Sequence, residues 1–145
     1  MNNINHDSPS VLSYLVTLQG VISRMSANSA SCKTWCITLV SAILVAVADK
    51  KLPDYVWIAL IPTLLFFFLD AYYLGLEKGF RSRYNNYIEK LHANSATLQD
   101  TFVVSLECGQ RCVLCLFVTG LRSVSVWPFY FVLLSLIVFV HQYFQ

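Results

Sequence analysis

One stretch limits what this chain can fold into: YVWIALIPTLLFFFLDAYYLGLEKGFRSRY, Tyr55 to Tyr84, which opens as a lipid-soluble rod and closes as a charged one. From Tyr55 to Leu76 the only carboxylate or amine is Asp70, and a helix crossing the hydrocarbon needs about 20 mainly apolar residues. The stretch therefore predicts a membrane-spanning helix over 55–76. Tyr72 and Tyr73 suit the headgroup level, and Lys78, Arg81 and Arg83 beyond them suit the side that keeps positive charge. The helix then runs on into water through Leu91, with Glu77 and Arg81 four apart in the favourable acid-first order.

Composition narrows the function classes. Of 145 residues, 57% are hydrophobic and 12% charged, against about 25% charged in soluble domains. The formal net charge of +2 comes without a basic run, so direct nucleic-acid binding is not expected. Paired catalytic carboxylates, a nucleophile beside a base and a glycine-rich phosphate loop are all missing from the sequence, and His6, His92 and His141 are scattered. The expectation is a protein that is not an enzyme and needs no cofactor. Five cysteines cannot all pair within one chain. Cys108, Cys112 and Cys115 have no histidine beside them to complete a tetrahedral centre, so no metal is expected there.

The other segments are read relative to that helix. Ser8 and Pro9 form a helix start, Ser8 as N-cap and Pro9 at the first helical position. Val11, Leu12, Leu15, Leu18, Ile22 and Met25 then recur at helical spacing. This predicts an amphipathic helix over 8–31, packed on another helix of the same protein or lying on a membrane surface. Thr34 to Ala48 is an uncharged run of 15 residues. Extended back past Lys33, whose stem can lead its amine to the interface, it gives a first span over 32–49. Ala46, Val47 and Ala48 imitate a signal cleavage site, but the segment before them is too long for a secretory leader. Ala42 and Ala46 form a small-xxx-small pair, expected to face the second span.

DKKLPD, Asp49 to Asp54, predicts a tight hairpin turning at Pro53, and Pro62 predicts a bend in the second span. Residues 77–122 are expected to form a helical part outside the membrane. Within it, Leu98 to Leu121 is read as a helix that pairs Glu107 with Arg111. Gly75 and Gly79 give weak evidence for close packing. Ser123 to Val140 is an uncharged run of 18 residues and predicts a third span over 123–142. Basic residues outnumber Lys50 and Lys51 on the side away from the hairpin turn, which places that side and the N-terminus in the cytoplasm. Trp35, Tyr72 and Tyr73 then form the inner aromatic belt, and Tyr55 and Trp57 the outer one.

The fold class expected is thus all-α and integral to a membrane. It comprises an amphipathic N-terminal helix, a transmembrane hairpin extended into a cytoplasmic helix, and a third C-terminal transmembrane helix. Asp70 is the residue that needs an explanation, because an ionised carboxylate facing lipid is expensive. At helical spacing its side continues through Tyr73, Glu77, Arg81 and Tyr84. Asp70 is expected to pair with Lys33 or Arg24 and pin the hairpin, with a pore-lining or proton-carrying role as the alternative.

RMSANSASCKTWCITLV, followed by a hairpin and LLFFFLDAYYLGLEKGFRSRY, resembles the small membrane effectors of bacterial conflict systems close to the SLATT group. The matching positions are Arg24, Met25, Asn28, Ser29 and Lys33, then Leu69, Asp70, Tyr72, Tyr73, Leu74, Glu77, Phe80, Arg81 and Tyr84. The resemblance covers about half the chain. It implies an anti-phage effector that oligomerises in the bacterial inner membrane and permeabilises or depolarises it. Relatives of that kind are fused to, or encoded beside, a sensor for a nucleotide signal, nucleic acid or viral protein, and this chain shows no such domain. The expected partners are the lipid bilayer, further copies of the chain and a separate sensor or regulatory protein. The competing expectation is a non-conducting anchor or scaffold that recruits a cytoplasmic defence protein.

Overall fold

The computed structural model describes residues 8–51, 53–97, 100–104 and 110–144, and for 110–113 the backbone alone. These residues are all-helical. Four α-helices occur, α1 Pro9–Lys50, α2 Leu60–His92, α3 Gln110–Leu121 and α4 Trp127–Phe144, with a 3-10 segment, Pro53–Ala59, leading into α2. Three of the helical segments are long and apolar enough to cross a membrane: α1, Pro53–His92 and α4.

The segments expected as separate helices over 8–31 and 32–49 are a single helix of 42 residues. The polar stretch Ser26 to Ser31 contains neither Gly nor Pro, so nothing breaks the backbone ladder there. At 1.5 Å per residue α1 is about 63 Å long, roughly twice the hydrocarbon thickness. Half of it must therefore project out of any bilayer it crosses. Ser8 is the N-cap residue, but its side chain bonds Ser10 Oγ at 3.1 Å and caps nothing. Its carbonyl accepts from the amides of Val11 and Leu12.

The hairpin also turns differently from the expectation. Lys51 takes the left-handed conformation (φ 51°) that ends α1, and Pro53 opens the 3-10 segment. Pro62 falls in the first turn of α2, where a missing N–H removes no helical hydrogen bond. The helix it was expected to bend therefore begins only just before it. α2 then continues unbroken from the apolar segment to His92. It ends at Asn94, which is also left-handed (φ 52°), with the Ser95 amide reaching back to the Lys90 carbonyl.

α1 and α2 lie antiparallel. Tyr14 meets Tyr87, Gln19 meets Tyr84, Ser29 meets Asp70 and Cys36 meets Thr63. One chain advances as the other retreats, so a single register holds over about 33 Å of helix. Two apolar cores lie along this pair. Near the turn Cys36, Val40, Leu44 and Val47 of α1 pack with Val56, Ala59 and the α4 residues Tyr130, Leu133 and Ile137. At the far end Val11, Tyr14 and Leu18 pack with Tyr87, Leu91 and Ala96. The N-terminal half of α1 thus packs on another helix of its own chain. Leu12, placed on the apolar side by its spacing, is 55% exposed, and Tyr14 takes the buried position. Ala42 and Ala46 are exposed as well. The turn-end bundle is filled by larger side chains, and Ala46 borders an open crevice with Tyr55 and Ile58 at the start of the second span instead of a close helix crossing.

Between and beyond the cores the chain distributes apolar surface as a lipid-facing protein does. Trp35, Leu39, Val45, Ile61, Leu65, Phe68, Phe131, Val132 and Phe139 are all exposed, and only 17% of the apolar window of α4 is buried. Trp35, Tyr72 and Trp127 are exposed near one end of this band and Tyr55, Trp57 and Tyr143 near the other, the arrangement of two interfacial belts.

α3 is shorter than the 98–121 helix expected. Glu107 and Cys108, and the side chains of Arg111 and Cys112, lie outside the described residues, as do Met1 to Asp7. α3 runs antiparallel to α2 and meets it through glycine. A Cβ on Gly75 would overlap the Leu116 carbonyl, and one on Gly120 would overlap the Ala71 carbonyl. The close pair on α2 is therefore Ala71 with Gly75, and its partner surface is α3. Lys78 Nζ donates to the Thr119 carbonyl (3.1 Å) and Trp127 Nε1 to the Leu121 carbonyl (2.7 Å), closing the C-terminal end of α3.

Gly120→Ala should lower the thermal unfolding midpoint in detergent micelles, by an overpacking cost of about 1–3 kcal/mol. Gly20→Ala meets nothing within 4 Å and should be neutral or stabilising by up to ~1 kcal/mol. Circular dichroism melts of the two variants check the contrast, and equal shifts would contradict the close crossing.

Candidate functional site

Where the apolar band meets the polar half of the hairpin, α1 and α2 bring charged groups together inside the protein. Asp70, fully buried, sits on α2 opposite Ser29 and Lys33 of α1. Lys33 Nζ lies 2.7 Å from Oδ2 and donates to Oδ1 at 2.8 Å. Ser29 Oγ donates to Oδ1 (2.5 Å) and accepts from Lys33 Nζ (3.2 Å). The two α1 residues are four apart and so share a face. Lys33 keeps a 20% exposed side chain, consistent with a stem that carries its amine along the helix surface. α4 contributes Tyr130. Its hydroxyl is buried in the field of the Asp70 carboxylate, yet it and Asp70 Oδ2 have no well-aligned hydrogen-bond partner among the described residues. The Oδ2 contact with Lys33 is thus an ion pair by distance, while Oδ1 carries the aligned bonds.

Of the two bases expected opposite Asp70, Lys33 makes the pair. Arg24 is exposed and Asn28 half-buried, and neither takes part. Further along α2 the buried Glu77 pairs with Arg81 (Oε1 to Nη2, 2.8 Å). Tyr84 accepts from Gln19 (3.2 Å), and Tyr73 packs against Tyr72 with ring centroids 5.7 Å apart. The structure therefore gathers Asp70 with Lys33, and Glu77 with Arg81, as separate stations along one hairpin. In the single chain both carboxylates are buried, Asp70 against Ser29 and Lys33 of α1 and Glu77 beside Arg81 of its own helix. Cys32 and Cys36 are buried free thiols on the same side of α1, and Cys115 is exposed on α3.

Sequence reasoning missed Ser29 and Tyr130 as neighbours of Asp70. Ser29 was within reach, since it lies one turn before Lys33 on the face that a hairpin must turn inward. Tyr130 gave no signal beyond its place in an apolar run, because its approach to Asp70 depends on where α4 docks.

A second polar cluster ties the 93–104 connection to the far end of α2. Tyr14 Oη donates to the Val103 carbonyl (2.8 Å), and Lys90 Nζ bonds Asp100 Oδ1 (2.6 Å). Asp100 Oδ2 accepts from the Thr97 amide and hydroxyl. Lys90 first, and Thr97 second, hold the Asp100 carboxyl down to about 2 from its ordinary 3.8.

Comparison of this chain with protein families, curated proteins and solved structures finds no match in any of the three. The class is accordingly defined by architecture alone, three helices able to cross a membrane with a buried ion pair between two of them, which is the makeup of a multi-pass membrane protein.

Two outcomes follow from the site. Lys33→Met leaves a buried carboxylate unpaired and should cost about 3–5 kcal/mol, whereas Lys33→Met with Asp70→Leu should recover most of it. Unfolding titrations in mixed micelles measure both, and additive losses would contradict the pair. The lowered value for Asp100 means that its contribution is complete above pH 3.8 and is lost as the pH falls toward about 2. Hydrogen exchange at the Thr97 amide, corrected for intrinsic rate, should accelerate across that window, and Asp100→Asn should remove the dependence.

Proposed function

We propose that this chain is a membrane effector of bacterial antiviral defence. It self-associates in the inner membrane, N-terminus in the cytoplasm, and permeabilises or depolarises the bilayer when a separate sensor protein acts on it. Catalysis plays no part. The observation that carries the reading is the sealed Lys33–Asp70–Ser29 contact at the boundary between the apolar and polar halves of the hairpin. A carboxylate so placed is retained at a cost. Opening the hairpin there exposes a polar helix face, which several copies can share around an aqueous path. Both long helices run unbroken from the polar half into the apolar half, so a partner bound to the polar half can lever the spans directly. The likeness of Arg24 to Lys33 and of Leu69 to Tyr84 to the SLATT-type strings supports the defence role. Eight basic residues, Arg24, Lys33, Lys78, Arg81, Arg83, Lys90, Arg111 and Arg122, stand away from the turn in the sequence, against Lys50 and Lys51 beside it, which supports the orientation.

A non-conducting anchor is the second reading, favoured by the complete burial of Asp70. Expression in bacteria with a potential-sensitive dye and an impermeant nucleic-acid stain separates the two. The effector reading expects depolarisation on activation, and its loss in Asp70→Asn or Glu77→Gln variants that still insert. An intact potential under every condition that kills or arrests the cells would leave the anchor.

A further inference from the structure

α2 and α4 diverge enough to leave an apolar crevice of about 160 Å³, lined by Thr63, Leu64, Phe67, Trp127, Tyr130, Phe131 and Leu134. We propose that this crevice and the turn above it form a site for an acidic phospholipid, with one acyl chain in the crevice and the phosphate on Arg122. The inference rests on the membrane reading above and names a ligand that reading does not contain.

Four observations carry it. The crevice opens on the exposed apolar band, since Leu64, Phe131 and Leu134 on its walls are themselves exposed, and in a bilayer the neighbouring medium there is acyl chain. It offers an occupant almost no polar surface: Thr63 Oγ1 donates to the Ala59 carbonyl at 2.7 Å, and the Tyr130 hydroxyl is buried on the Asp70 side of its ring. The occupant is thus a hydrocarbon rather than a hydrogen-bonding headgroup. From Trp127 to Leu134 the crevice follows α4 for about 10 Å, the scale of the upper part of an acyl chain. At its mouth Trp127 is held at headgroup depth by the bond from Nε1 to the Leu121 carbonyl. The next residue, Arg122, is exposed and forms no ion pair among the described residues. A guanidinium beside an indole at the interface matches a lipid phosphate in charge and in its paired donor geometry.

The test uses the full chain with Trp35→Phe and Trp57→Phe, so that Trp127 is the only indole. It is reconstituted in vesicles of three parts phosphatidylethanolamine to one part phosphatidylglycerol, and bromine is placed on the acyl chains of one lipid at a time. Brominated phosphatidylglycerol should quench Trp127 more than its mole fraction predicts. Arg122→Gln should cut the preference roughly fivefold, the worth of one basic residue at an acidic surface, and Arg122→Lys should keep most of it. Leu134→Trp in the otherwise indole-free chain, which fills the crevice, should show no preference for either lipid. Quenching in proportion to mole fraction for both lipids overturns the site while leaving the membrane reading intact. So does absence of quenching in protein that resists alkaline extraction, which would mean that protein covers the crevice. Protein released by alkaline extraction and unquenched overturns the membrane reading itself.

Discussion

Lys33 and Asp70 fix the register of two helices that apolar packing alone would leave free to slide. Buried positions on α1 repeat at spacings of three and four over most of its length, from Val11 and Tyr14 to Leu44 and Val47. A shift of one such repeat against α2 would still bury hydrophobic side chains. It would also strand a carboxylate in the apolar zone, and a polar group without a partner there costs several kcal/mol. A buried polar pair used to select one register among near-equal alternatives is well precedented in helical assemblies.

From that fixed register the rest follows in order. Tyr14 is brought opposite Tyr87 and Gln19 opposite Tyr84, so the polar half acquires its own core. At the other end Cys36 and Val40 meet the docking site of α4. α3 and α4 then return antiparallel along α2. Leu116 lies on Gly75, Gly120 on Ala71, Tyr130 on Phe67 and His141 beside Trp57. The glycine crossing sets how close α3 can come, and the ring contacts set the depth of α4.

Much of this was legible in the residues, and what was not has physical causes. The apolar runs, the continuous α2 and the pairing of Asp70 with Lys33 follow from hydropathy, the absence of breakers and the cost of a bare charge. The union of 8–31 with 32–49 was hidden because a polar stretch of Ser and Ala looks like a linker, although nothing in it stops a helix. Ala42 and Ala46 misled because small residues permit close approach without requiring it. Gly75 and Gly120 do require it, but their partner is far along the chain and no periodicity joins them. Ser29 and Tyr130 belong to the site through tertiary placement, which helical spacing constrains for the first and not at all for the second.

The account depends on α1 being one rigid helix whose two halves lie in different media. Spin labels placed singly along its exposed face, at Leu12, Val16, Ser23, Leu39, Ala42 and Val45, measure this directly in reconstituted vesicles through their collision rates with oxygen and with a water-soluble nickel chelate. The labels at Leu12, Val16 and Ser23 should meet the chelate and those at Leu39, Ala42 and Val45 oxygen, with the crossover between Ala30 and Trp35, at the level of Lys33. Uniform chelate access along the helix, or a crossover far from Lys33, would contradict it.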